Sequence, residues 1–340
     1  MKELNNISST QYADDVFDKI DKNFDDVKSA IDTIEQSGGG SITVNASVPK
    51  YKNNPLPLYK DTFKILGLGN SFTLYPTRPL ATLLSNAAGF DKTKFAFPFF
   101  YRQGYSLANF VEAIKNNTAP LNYYTAGGGE LPVTTSGGLR TVLSQDWDII
   151  VVQQKSTDAK NYSTYEPYLT QLVNLIRTYC TNPRVCIAFQ QTWSVSQGNY
   201  AAQDAEWTNI CNAIKSVVGN NGIDVIIPSG TALQNARHAS GFYNASGNDN
   251  HYLLMDGTGH PADGAGRYVC ACAWYQALFA PLLGLPPIVG NSATWAASDT
   301  SGVASGYDDS LIDVTSENKE ILQRAAMAAC TDMWNITTIS

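Results

Sequence analysis

Five short apolar runs, at 63–68, 95–101, 149–152, 185–190 and 225–228, alternate with stretches of helical periodicity at about 77–88, 106–116, 165–180 and 204–219. Runs this short, bounded by glycine or polar residues, read as strands buried on both faces. Strands separated by helices pair in parallel, because a parallel connection needs a crossover. The alternation therefore predicts an α/β fold with a parallel sheet covered by helices on both sides. Two further helical patterns follow, at about 264–282 and 316–334.

The first run leads into Ile65-Leu66-Gly67-Leu68-Gly69-Asn70-Ser71-Phe72-Thr73. Gly69 permits a sharp turn, and Ser71 falls just past the carboxyl end of the strand. Open parallel sheets bind their ligands in that crevice. A helix pattern follows, with Leu80, Leu83 and Leu84 at helical spacing. Partial positive charge at a helix N-terminus favours an oxyanion. Serine is also a common helix cap, so the stretch alone leaves nucleophile and cap both open. It is not the G-x-S-x-G elbow. Gly67 and Gly69 lack the third glycine of a dinucleotide fingerprint.

An activated serine needs a base, and the base needs an orienting acceptor. The chain has three histidines, His238, His251 and His260. His260 lies in the glycine-rich stretch Met255-Asp256-Gly257-Thr258-Gly259-His260-Pro261, just before a helix, with an acid close by. His238 and His251 show no such grouping in sequence. An oxyanion also needs donors. Gly104, in Arg102-Gln103-Gly104-Tyr105-Ser106-Leu107, follows the second strand and opens a helix, and its backbone permits close approach. Gln153 and Gln154 follow the third strand, where a side-chain amide can donate into the same crevice. A helix-opening glycine and polar residues ending a strand are ordinary features singly, but the candidate nucleophile and donors fall at successive strand ends, with the candidate base on a later glycine-rich loop.

Gly69-Asn70-Ser71-Phe72-Thr73 resembles the first block of the SGNH (GDSL-type) hydrolases, Gly104 the second, and the Asp256-to-His260 loop the last. The phrases Trp147-Asp148-Ile149-Ile150, Gln190-Gln191-Thr192-Trp193 and Pro228-Ser229-Gly230-Thr231-Ala232 are similar to a branch of carbohydrate-related esterases of gut bacteria. The resemblance spans about 61–283. It implies a flavodoxin-like three-layer α/β/α sandwich. It implies Ser71 as nucleophile, His260 as base and Asp256 as orienter, with the N–H groups of Ser71 and Gly104 in the oxyanion hole. Two departures stand out. The asparagine usual in the third block is here Gln153, with Gln154 as the alternative. Asp256 precedes His260 by four positions, where the family spaces them by three.

Upstream, residues 10–36 carry an a/d heptad seam through Phe17, Ile20, Phe24, Val27, Ile31 and Ile34. Three heptads are marginal alone, so the seam needs a partner: a globular domain could supply it, but the narrow stripe favours self-association as a coiled coil, with a trimer expected. A glycine break at 37–40 and a polar, proline-bearing connector to residue 60 follow. This arrangement resembles the attachment segments of tailed-phage appendage proteins, which implies other virion proteins as partners and a virion-associated location. Residues 61–340 are then the hydrolase domain, with a glycine-rich insertion at 119–138 expected to form a hairpin. The net charge of −7 argues against nucleic acid and anionic membranes as partners. Nine acids and four lysines fall in residues 1–36, which leaves the rest near neutral at −2. The N-terminus lacks the charged-then-apolar pattern of a secretory signal, which points to synthesis in the cytoplasm. Six cysteines without metal-ligand spacing predict buried, reduced thiols.

The sequence thus predicts an oligomeric serine esterase acting on acylated carbohydrate, O-acetyl in particular, with no metal or organic cofactor. Trp193, Tyr105, Tyr123 and Tyr124 are the foremost candidates to bind a sugar, with Tyr162 and Tyr165 behind them. The competing reading is an SGNH-type scaffold that holds a glycan without cleaving it.

Overall fold

A computed structural model describes residues 62–118, 122–125, 137–196, 200–217, 221–239, 254–255, 259–296 and 313–340. The heptad seam, the glycine break and the connector lie outside these residues.

Five strands pair in parallel: β1 (Phe63–Gly69), β3 (Pro98–Tyr101), β5 (Ile149–Gln153), β6 (Cys186–Gln190) and β7 (Val225–Ile227). A short β2 (Phe95–Ala96) precedes β3 and also pairs with β1. The order across the sheet is β4-β3-β1-β5-β6-β7. Without β4, this is the 2-1-3-4-5 order of flavodoxin-like sheets, whose ligand crevice opens between the first strand and its later neighbour. Here that crevice lies between β1 and β5. The insertion at 119–138 contributes β4 (Asn122–Thr125), antiparallel to β3 at the sheet edge. The middle of the insertion lies outside the described residues.

Alternate strand residues feed two cores. Phe63, Ile65, Ile149, Val151, Cys186 and Ala188 pack under α1 (Ser71–Ser85), α6 (Ser229–Arg237), α7 (Ala265–Trp274) and α8 (Lys319–Thr331). Leu66, Leu68, Ile150, Val152, Ile187 and Phe189 pack under α2 (Leu107–Lys115), α3 (Leu139–Leu143), α4 (Tyr168–Tyr179) and α5 (Tyr200–Val217). The period-two alternation along each strand makes this division. Helix α7 runs on through a π turn at Tyr275–Phe279 into Ala280–Leu283. No described helix is long and apolar enough to cross a membrane.

Two helix expectations change. Helix α1 begins at Ser71, six residues earlier than its apolar pattern suggested, with Pro76 and Pro79 inside it. Helix α6 was not expected, and every one of its nine residues is buried. A helix buried on all sides carries no amphipathic stripe to read. The six cysteines are free thiols, all but the half-buried Cys330 buried.

Candidate active site

Every segment that meets at the site leaves a strand at its carboxyl end or closes over one. Gly69 makes the turn out of β1: a Cβ there would lie 2.0 Å from Thr73 Oγ1. Asn70 caps α1, its side-chain oxygen accepting from Phe72 N at 2.9 Å. Ser71 is therefore the first residue of the helix, with its hydroxyl at the positive end of the macrodipole.

His260 reaches Ser71 from the far end of the chain. Its Nε2 lies 2.8 Å from Ser71 Oγ, within hydrogen-bond distance. The imidazole stands edge-on to Phe72 and Tyr75, with ring centroids 5.6 and 5.0 Å away. Beneath Tyr75, the Arg267 guanidinium sits 4.5 Å from the ring centre and pairs with the buried Asp263 at 3.2 Å. The histidine loop is pinned at its base. Met255 bridges Pro261, and Ala262 N donates to Leu254 O at 2.9 Å. Gly266 lets α7 approach this base, since a Cβ there would fall 1.9 Å from the Leu254 carbonyl oxygen. Trp193 Nε1 donates to Gly259 O at 3.1 Å, one residue before the histidine.

Together Asn70, Ser71, Phe72, Gly104, Lys155, Ser156, Thr157, Val195 and His260 line an open cavity of about 190 Å³. Gly104 follows β3 with φ +67°, a left-handed conformation that glycine adopts without strain. The Ser71 and Gly104 N–H groups meet no acceptor among the described residues, which leaves both free to donate into the cavity.

The glutamines depart from expectation. Gln153 is fully buried and does not line the cavity. Its Nε2 donates to Asn70 Oδ1 at 2.6 Å, and its Oε1 accepts from the Thr73 hydroxyl. Gln154 is buried too, its oxygen accepting from Leu107 N and Lys155 N and its nitrogen donating to Thr164 O. Both amides are spent on holding loops, so in this geometry neither points at an oxyanion.

The aromatic candidates also sort. Trp193 is only 1% exposed and stacks on Phe72 at 4.1 Å, so it is a wall of the site and offers no open face to a sugar. Tyr165 is buried, with its hydroxyl donating to Ala159 O at 2.7 Å. Tyr105 is half-buried, edge-on to Phe110, with Arg102 over its ring. Tyr162 is exposed. Tyr123 and Tyr124 lie in the edge strand β4. Asp256 and His251 lie outside the described residues.

His238 does have an acid partner, contrary to its polar but ungrouped look in sequence: its Nε2 lies 2.9 Å from Asp204 Oδ1. An acid beside a histidine is thus not particular to the site. The serine beside His260 is. Sequence reasoning gave no role to Asn70, Tyr75, Val195 or Arg267, and only the juxtaposition of Asn70 with Ser71 signalled one of them. Among the described residues no cluster of His, Cys, Asp and Glu has the makings of a metal site.

A DUF4886 family protein from Bacteroides uniformis ATCC 8492 superposes with a TM-score of 0.63 at 28% identity, over 82% of this chain and 98% of that one. Lower similarities run to the lipase Lip_vut3 from goat rumen metagenome, with a TM-score of 0.41 at 11% identity over 65% of this chain and all of that one. LAE5, an α/β hydrolase enzyme from the metagenome of Lake Arreo, Spain, gives 0.44 at 12% identity over 67% of this chain and 97% of that one. No curated protein matches. The model of a domain of unknown function, DUF4886, matches residues 64–287, and the chain belongs to that family.

Proposed function

We propose that this chain is an SGNH-type serine ester hydrolase that removes acyl groups, O-acetyl in particular, from carbohydrate. The observation that carries the reading is the 2.8 Å contact of Ser71 Oγ with His260 Nε2 at the N-terminus of α1. A nucleophile within hydrogen-bond reach of its base, beside two unengaged backbone donors, is the arrangement acyl transfer needs.

The hydroxyl proton passes to His260 Nε2 as Ser71 Oγ bonds to the ester carbonyl carbon. The carbonyl π electrons move to oxygen, where the N–H groups of Ser71 and Gly104 receive the charge. Collapse breaks the bond to the sugar oxygen, which leaves with the proton from His260. Water then loses a proton to the same nitrogen, attacks the acyl-enzyme and releases the carboxylic acid, and the proton returns to Ser71. Asp256, close before His260 in sequence, is the proposed orienter of the imidazole. A small, open cavity suits an acetyl group on a bulky alcohol better than a long acyl chain.

Hydrolysis of 4-nitrophenyl acetate and of acetylated polysaccharide, compared between the wild type and Ser71→Ala, tests the reading, with a fluorophosphonate probe as a direct test of the nucleophile. Labelling of the wild type alone supports it. A chain that releases no acetate and takes up no probe is instead the glycan-holding scaffold, and glycan-array binding distinguishes that case. The apolar heptad seam supports self-association, proposed as a trimer, and its resemblance to phage attachment segments is the ground for proposing an appendage role. Light scattering on a chain cut before Ser41 tests this, and unchanged mass after the cut refutes it.

A further inference from the structure

We infer that Asn70 is the side-chain oxyanion donor of this site and that Gln153 is the residue that positions it. The inference rests on the ester-hydrolase reading above.

Asn70 lines the cavity with Ser71, Gly104 and His260, and neither glutamine does. The bonding fixes which end of its amide is which. One atom accepts from Phe72 N and from Gln153 Nε2, so it is the oxygen. The other donates to the Tyr105 carbonyl at 3.0 Å, so it is the nitrogen. An amide nitrogen carries two hydrogens. The second meets no acceptor among the described residues, although Asn70 is only 3% exposed. Tyr105 immediately follows Gly104, so Asn70 Nδ2 is tied to the segment that presents the Gly104 N–H. Three donors, the Ser71 and Gly104 N–H groups and Asn70 Nδ2, then border one cavity.

Gln153 acts through Asn70. Its amide hydrogen at Asn70 Oδ1 holds the asparagine against a flip that would turn an oxygen lone pair toward the oxyanion. An amide oxygen that accepts two hydrogen bonds also polarises its own N–H groups into stronger donors. The longer side chain at the end of β5 thus serves the oxyanion from one residue away, because the asparagine beside the serine stands between them.

The test uses the full chain with 4-nitrophenyl acetate, and phenylboronic acid as a probe that forms a tetrahedral anionic adduct on the serine. Asn70→Asp keeps the cap oxygen and the shape but loses both donors. Asn70→Ser keeps the cap and is too short to reach. Both should lower kcat by about 10²–10³ with KM close to wild type, as removal of one oxyanion donor does elsewhere. The inhibition constant of the boronic acid should rise by a matching factor. Gln153→Ala should lower kcat and boronate affinity together, by about tenfold, again with little change in KM. If one Asn70 variant fails to fold, the other decides. A kcat within about threefold of wild type in a folded Asn70 variant overturns the inference. So does a fall in kcat with boronate affinity unchanged, which would make Asn70 a structural cap alone. A wild-type chain that neither hydrolyses the acetate nor takes up a fluorophosphonate defeats the ester-hydrolase reading itself, a different result from active wild type with indifferent Asn70 variants.

Discussion

Gln190 Nε2 donates to the carbonyl of Phe72 at 2.9 Å, across 118 positions of sequence. In a regular helix that carbonyl receives the N–H of the residue four places on, and in α1 that residue is Pro76. A side chain at the end of β6 therefore supplies the hydrogen bond that a proline withholds, in the first turn of the helix that carries Ser71. The same turn is tied to β5 through Gln153. Two neighbouring strand ends thus hold the helix that begins at Ser71 by its polar backbone and cap.

This predicts a coupling between residues 76 and 190. Gln190→Ala leaves a buried carbonyl without a donor and should cost about 1–3 kcal/mol. Pro76→Ala restores a backbone N–H to that carbonyl, so the same glutamine substitution should cost less in that background. A double-mutant cycle by denaturant unfolding should give a coupling of roughly 1 kcal/mol. Additive losses would mean that the Phe72 carbonyl finds another donor.

Ser71 and His260 should behave as one unit. Ser71→Ala and His260→Ala should each reduce kcat by about 10³–10⁶, and the double variant should be no worse than the poorer single one. Steady-state kinetics on a small aryl acetate measures all three. Multiplicative losses would show that the 2.8 Å contact is not the catalytic pair.

Much of this was readable in sequence because burial and pairing there obey simple periods. The strands at 63–69, 149–153 and 186–190 are apolar runs ending in glycine or glutamine, and their ends alone placed Ser71 and the two glutamines at one edge. What the glutamines do was not readable. Whether an amide points forward into a cavity or sideways onto Asn70 depends on side-chain torsions that no spacing encodes. Trp193 misled for a related reason: an aromatic residue at a strand end looks the same whether it faces a ligand or stacks on Phe72. Helix α6 was hidden because Thr231, Gln234, Asn235 and Arg237 are polar yet buried, each making hydrogen bonds inside the protein.

Trp193→Phe keeps the stack on Phe72 but removes the donation to Gly259 O, and should lower stability by about 1 kcal/mol. It should loosen the histidine loop and reduce kcat, while KM for a soluble acetylated oligosaccharide, the substrate class proposed above, stays near wild type. A KM that rises steeply with kcat unchanged would return Trp193 to the substrate.

Gly104 should resist replacement for reasons of backbone alone. A Cβ there meets open space, but the residue sits at φ +67°. Gly104→Ala should cost about 1–2 kcal/mol for the left-handed conformation. Relief of that strain should rotate the peptide that presents the N–H, so kcat should fall further than stability predicts. Parallel melting curves and kinetics separate the two effects, and a stable variant with full kcat would remove Gly104 from the proposed set of oxyanion donors.

Glu206 accepts from Lys160 Nζ at 3.0 Å, Ser194 Oγ at 2.8 Å and Ser196 N at 2.6 Å, which brackets Val195 at the cavity wall. Burial pushes its carboxyl upward, but the bonds from Lys160, Ser194 and Ser196 outweigh this and hold it below the ordinary value of 4.5. The unfolded chain therefore binds a proton more readily than the folded one, so stability rises with pH between the two values. Glu206 contributes in full above 4.5, and its contribution is lost as pH falls through the lower, folded-state value. Glu206→Gln cannot accept as an anion, and at neutral pH should be about 1–3 kcal/mol less stable than wild type. Melting temperatures of the two proteins should then converge as the solution is acidified below 4.5, because the wild-type carboxyl becomes neutral as well. A gap that stays constant from neutral pH into strong acid would show that the glutamine disturbs packing around Ser194 and Ser196, and that the charge of Glu206 is not what holds this wall.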